Sequence, residues 1–173
     1  LHKQVLHVTA RLKLKGCTMI TSINPATGET LTTYPKHDAN QIEAKLANAS
    51  KAYALWRTTE LAVRAQLVHD LADTLETTAD TSAVLMSQEM GKTVQAGQAE
   101  VEKCVAYCRY TADNAHVYLA DEHIQTEYVR SFTRPLPLGT ILLVMPWNFP
   151  FWQVIRVAVA AILAGNTWLL KQA

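Results

Sequence analysis

Three groups of residues in this 173-residue chain have types and spacings that could do chemistry. The first is Asn148, set between Pro146 and Pro150 in the stretch Met145-Pro146-Trp147-Asn148-Phe149-Pro150. The prolines fix φ and remove two backbone donors, so the turn is stiff. Between them the Asn148 amide offers two N–H donors and no charge. A rigid neutral donor suits a developing oxyanion. Asn is also a favoured helix N-cap, and the residues alone leave both roles open. The second group is Lys171, a cation ending the apolar run Thr167-Trp168-Leu169-Leu170. The third is Cys104 and Cys108, four apart and so neighbours on one helical face. No His or third Cys stands at ligand-like spacing to them. The pair reads as two small buried hydrophobes, and neither is a candidate nucleophile.

The elements around the Asn148 turn follow from apolar runs. Thr140 to Met145 is a short continuous apolar run, and so is Thr167 to Leu170. Between them Phe151 to Ala164 is rich in Val, Ile, Leu and Ala and is stopped by Gly165-Asn166. Continuous apolar runs are the mark of strands buried on both faces, as in a parallel sheet. Two such strands joined by a helix of about a dozen residues make a right-handed βαβ unit. The Asn148 turn then lies at the carboxyl end of the first strand, where open α/β sheets place ligands.

Upstream the chain reads as a strand pair and four helices. Asn24-Pro25 and Gly28 mark a turn before a strand over Glu29 to Tyr34. Asp38 with Gln41 three residues on predicts a capped first helix. Ile42, Leu46, Ala49, Tyr53 and Trp56 give that helix one apolar face. Thr58 or Thr59 is expected to cap a second helix, buried along Leu67, Val68, Leu71 and Leu75. A third helix runs from about Thr81 to Met90 and stops at Gly91, with Lys92 as the cation at its end. The fourth, about Val94 to Ala120, buries Val101, Cys104, Val105, Cys108, Ala112, Ala115 and Leu119. Thr126 to Arg134 reads as an exposed or edge strand, and Pro135 to Gly139 as the connector back to the first buried strand.

Composition narrows the class. With 49% hydrophobic and 18% charged residues the chain is globular and long enough for one domain. A net charge of +1 points to neither nucleic acid nor an acidic membrane. Residues 140–170 are hydrophobic, but Pro146, Asn148, Pro150, Gln153 and Arg156 interrupt them, which argues against a membrane span. Three cysteines, an odd number in an intracellular-looking chain, argue against a disulfide framework, and a cytoplasmic location is expected.

The block Met145 to Pro150, with Ala164-Gly165-Asn166-Thr167 and Leu169-Leu170-Lys171, resembles the aldehyde dehydrogenase superfamily. Arg134-Pro135-Leu136-Pro137-Leu138-Gly139 and Phe151-Trp152-Gln153-Val154 resemble its bacterial succinate-semialdehyde dehydrogenases. The likeness runs from about Met19 to Ala173 and covers the amino-terminal part of the family's chain. It implies an α/β fold: helices followed by the first βαβ of a Rossmann-like parallel sheet.

The resemblance also assigns roles. Asn148 would donate to the oxyanion formed when a thiolate adds to an aldehyde. Met145, Pro146 and Trp147 would line an NAD or NADP cofactor, and Lys171 would hold its adenosine ribose. An ordinary dinucleotide site has a G-x-G-x-x-G turn after the first strand and an acidic residue on the ribose. Here the turn is Pro-Trp-Asn-Phe-Pro and the second strand ends in Lys171, which tolerates a 2′-phosphate. The family reaction uses a nucleophilic Cys and a general-base Glu, neither of which falls on a matching position of this sequence. The 173 residues alone are therefore expected to have no dehydrogenase activity. The resemblance further implies a homo-oligomer, paired through the strand near Thr126 to Arg134. Residues 1–18 are basic with no acid, and are expected to be a non-native or disordered extension. Residues 19–173 are expected to be an incomplete cofactor-binding domain with part of the oligomerisation strands. Alternatives are another aldehyde substrate, or a non-catalytic nucleotide-binding or oligomerising product.

Overall fold

A computed structural model describes residues 19–172, so the expectation for residues 1–18 lies outside the described residues. The chain opens with an antiparallel pair, β1 (Met19–Ile23) and β2 (Thr30–Pro35). Gly28 at φ 76° closes the turn between them, its N–H donating to the Asn24 carbonyl. Four helices follow: α1 (Ala39–Trp56), α2 (Leu61–Thr77), α3 (Ala79–Met90) and α4 (Val94–Tyr118). A two-residue pair, β3 (Glu122–His123) with β4 (Phe132–Thr133), precedes the parallel unit β5 (Thr140–Met145), α5 (Trp152–Leu163) and β6 (Thr167–Gln172).

Local chemistry sets the helix ends. Asp38 and Gln41 form the expected capping box, each side chain accepting the other's backbone N–H at 2.8–2.9 Å. Gly91 ends α3 in the left-handed conformation at φ 84°. Thr58 and Thr59 do not cap α2. Both hydroxyls donate to the Leu55 carbonyl and close α1 instead, and the α2 N-cap, Glu60, makes no side-chain capping bond. A threonine between two helices can serve either, and here the Leu55 carbonyl in the last turn of the earlier helix accepts both hydroxyls.

The core lies between α2, α3, α4 and α5, around Val68, Ala72, Met86, Val101, Cys104, Cys108 and Val159. The stripe expected on α4 is buried from Val101 to Ala115, with Leu119 half-buried. At Gly97 an added Cβ would lie 2.9 Å from the Ala83 Cα, so the absence of a side chain lets α3 and α4 touch. Two stripes are only partly buried. On α1, Ala49 is buried and Trp56 donates to the Ile162 carbonyl at 3.0 Å, but Ile42 and Leu46 are exposed. On α2, Leu67 is 47% exposed. The periodicity places these side chains on the inward face. It cannot supply a neighbour: α1 packs mainly on β5 and β6 through its carboxyl half, with Trp56 reaching α5.

β5 and β6 run parallel in the register Ile141–Trp168, Leu143–Leu170, Val144–Lys171. The expectation of burial on both faces holds on one. Leu143 is buried against α5, while Leu142 and Val144 are 66% and 63% exposed on the other face. One crossover helix covers one face, and side chains alternate with period two. The expected strand over Thr126 to Arg134 is reduced to Phe132–Thr133, paired with Glu122–His123. Arg134 braces that hairpin through two 2.6 Å bonds to Asp121, which hold the Asp121 carboxyl below its ordinary range.

Candidate functional site

Because β5 and β6 are parallel, the residues after Met145 and the residues around Lys171 emerge at the same edge of the sheet. It is the carboxyl edge, where a strand pair leaves a crevice for ligands. All five candidate residues lie there. Met145 is half-buried, Pro146 and Asn148 are exposed, Trp147 is 63% exposed and Lys171 is exposed. The Lys171 ammonium has no carboxylate partner among the described residues. The edge therefore offers a neutral amide, an indole face and a cation.

The fold decides one of the two roles left open for Asn148. Its side chain does not cap α5. The capping group comes from α4: Glu100 Oε1 accepts the backbone N–H groups of Phe151 and Trp152, both at 2.9 Å. These are the first amides after Pro150, and they have no partner inside the helix. A carboxylate at a helix amino terminus also meets the positive end of the dipole. Glu100 in turn pairs with Lys92, and the two side chains are only 1% and 8% exposed. Lys92 Nζ stands 4.6 Å from the Phe149 ring centroid. Trp152 is packed edge-on by Tyr107 at 5.4 Å and covered by Lys103 Nζ at 3.9 Å.

Neither Glu100 nor Lys92 stands among the sequence-derived candidates, although Lys92 is recognisable as a helix-end cation. A signal for Glu100 is present: it lies on the stripe of Gly97, Val101 and Cys104, a charge where an apolar residue belongs. Asn166 is likewise more than a helix stop. It is 5% exposed, and its Oδ1 accepts the N–H groups of Leu138 and Gly139 at 2.6 and 3.0 Å.

Burial, and next the Glu100 charge, pushes the Cys104 thiol up to about 12, and burial pushes Cys108 up to about 11. Both are neutral thiols at physiological pH and do not serve as nucleophiles. No three His, Cys, Asp or Glu side chains among the described residues are placed to hold a metal ion. No described helix is long and apolar enough to cross a membrane. A groove of about 710 Å³ between α1 and β6, lined by Lys45, Ala49, Trp56, Leu67, Trp168 and neighbours, includes none of the five candidates. It is the uncovered flank of α1, not an extension of the site.

Comparison with known proteins agrees with this arrangement. Residues 13–173 match the model of the aldehyde dehydrogenase family. "Probable succinate-semialdehyde dehydrogenase [NADP(+)]" of Synechocystis sp. is 48% identical over 154 residues, spanning 89% of this chain and 34% of that protein. "Succinate-semialdehyde dehydrogenase [NADP(+)] 1" of Mycobacterium bovis is 46% identical over 157 residues, with the same coverage of 89% and 34%. The crystal structure of succinic semialdehyde dehydrogenase from Streptococcus pyogenes, in complex with NADP+, superposes with a TM-score of 0.85. It is 32% identical and is matched over 88% of this chain and 34% of its own. This chain spans about a third of the length of the curated relatives it matches. Family match and fold agree: the chain belongs to the aldehyde dehydrogenase family.

Proposed function

We propose that this chain supplies the oxyanion donor and part of the cofactor site of an NADP+-linked aldehyde dehydrogenase. The substrate is succinate semialdehyde and the product succinate. The observation that carries the reading is the state of Asn148: exposed at the carboxyl edge of β5, relieved of capping by Glu100, and flanked by prolines. Names of the relatives at 46–48% identity support the substrate and the cofactor.

The residues at this edge fit a dinucleotide. Lys171 is a cation without an ion-pair partner among the described residues, suited to ribose hydroxyls and a 2′-phosphate. Met145, Pro146 and the exposed Trp147 offer backbone and an apolar wall beside it. The cofactor, when bound, supplies the hydride acceptor. The chain's own part is to hold the Asn148 N–H groups toward the carbonyl oxygen as it gains charge, without adding a formal charge itself. Such a donor contributes about 10²–10³ in rate.

The wider organisation belongs to the same proposal. Residues 19–173 form part of the NAD(P)-binding domain. The β3–β4 hairpin carries exposed Ile124, Tyr128 and Val129 and pairs between copies in a cytoplasmic homo-oligomer. Residues 1–173 alone give no turnover, because their two described thiols are buried and neutral. The test is NADPH formation by the intact protein with succinate semialdehyde. Asn148→Ala lowers kcat about 10²–10³-fold with KM little changed. An unchanged kcat overturns the assignment.

A further inference from the structure

We infer that the buried Lys92–Glu100 pair is a positioning device for the Asn148 turn, so that α4 sets where the oxyanion donor stands. The inference rests on the role proposed for Asn148, but its geometry is independent of that role. Glu100 Oε1 holds the Phe151 and Trp152 N–H groups, both at 2.9 Å. Its other oxygen pairs with the Lys92 ammonium. That ammonium covers the ring of Phe149, the residue next to Asn148.

Both ends of the turn are thereby fixed. On one side Pro146 stiffens the exit from β5. On the other, Pro150 cannot donate, and the next two amides are both tied to one carboxylate. Asn148 lies between, exposed and with no capping duty. A buried ionic pair is a weak device for stability, since apolar residues of the same size serve as well. Its charge here is matched to two helix-terminal donors, which an apolar replacement could not hold. Misplacement of a catalytic group by about 1 Å can cost roughly 10²-fold in rate, which sets the stake.

The test compares Glu100→Ala with the double variant Lys92→Met/Glu100→Gln in the intact protein. The double variant is neutral and keeps an acceptor oxygen for the two amides. Hydrogen exchange is read at residues 151 and 152 and, as reference, through α2 and α3. In Glu100→Ala the two amides exchange about tenfold faster or more, while the reference helices keep their protection. In the double variant protection at residues 151 and 152 is retained. In turnover, Glu100→Ala lowers kcat about tenfold or more with KM for NADP+ within about twofold, and the double variant recovers most of the loss. Unchanged exchange at residues 151 and 152, or equal acceleration across every helix, overturns the inference. So does a double variant as impaired as Glu100→Ala. If Asn148→Ala leaves turnover intact while exchange behaves as stated, the role of Asn148 fails and the clamp on the turn stands.

Discussion

Asn166 and Leu138 are 28 residues apart, yet the Asn166 Oδ1 accepts the Leu138 N–H at 2.6 Å. The same oxygen takes the Gly139 N–H at 3.0 Å, and the Gly139 carbonyl accepts from Thr167 at 3.2 Å. The residue that enters β6 therefore fastens the residues that enter β5. This sets the register of the pair from its amino edge, opposite the Asn148 turn. Asn166→Ala leaves both amides without their acceptor and is expected to cost about 1–3 kcal/mol. Asn166→Asp keeps the acceptor and costs less. Urea midpoints measure both, and equal midpoints for the alanine variant and the parent would remove Asn166 from this role.

Gly97 shows how two effects of opposite sign are weighed. Replacing a helical glycine by alanine gains up to about 1 kcal/mol in helix propensity, and Gly97 closes the first turn of α4. At Gly97 the new Cβ would sit 2.9 Å from the Ala83 Cα and 3.0 Å from its Cβ, with backbone as the obstacle. Overpacking of this kind costs about 1–3 kcal/mol. The expected outcome for Gly97→Ala is a net loss of roughly 1 kcal/mol, seen as a lower denaturation midpoint. A midpoint above the parent's means that α3 and α4 separate without cost.

What the sequence discloses and what it withholds divide along a physical line. Features fixed within one turn or one period are readable: the Asp38–Gln41 box, Gly91 in the left-handed region, the α4 stripe and the β5–α5–β6 unit. Features that depend on a distant partner are not. Ile42, Leu46 and Leu67 have the right period, yet each stays nearly half exposed. Thr126 to Arg134 has strand-forming residues, but among the described residues its only ladder partners are Glu122 and His123. The edge occupied by Asn148 and Lys171 follows from strand order. The choice of Glu100 over Asn148 as the α5 cap depends on how α4 crosses α5, which no local pattern encodes.

The thiols carry a pH prediction. The folded chain raises Cys104 from 9.0 to about 12 and Cys108 from 9.0 to about 11, chiefly by burial. A raised folded value means that the unfolded state gives up its proton first. The thiols' contribution to stability is therefore fully present below pH 9.0 and is lost as pH rises toward about 11 and 12. A thiol reagent at pH 8 should label neither residue in the folded chain, and both after denaturation. Rapid labelling of Cys104 without denaturant would contradict its burial at 0% exposure.

Lys171 separates a binding role from a structural one. Its side chain is exposed, stands across the ladder from Val144, and has no ion-pair partner among the described residues. Its loss should leave the unfolding midpoint within about 0.5 kcal/mol, as for a surface substitution away from any special feature. If the ammonium donates to the adenosine ribose and its 2′-phosphate, Lys171→Ala gives up charge-assisted bonds of about 1.5–3 kcal/mol. That corresponds to a rise in the NADP+ dissociation constant of roughly 10- to 100-fold. NAD+ lacks the phosphate, so its affinity should fall less, and the preference between the two cofactors should narrow. Calorimetric titration of the intact protein with each cofactor reads both numbers. Unchanged NADP+ affinity would return Lys171 to an ordinary cation at the end of a strand. Equal losses for the two cofactors would place the ammonium on the ribose hydroxyls alone.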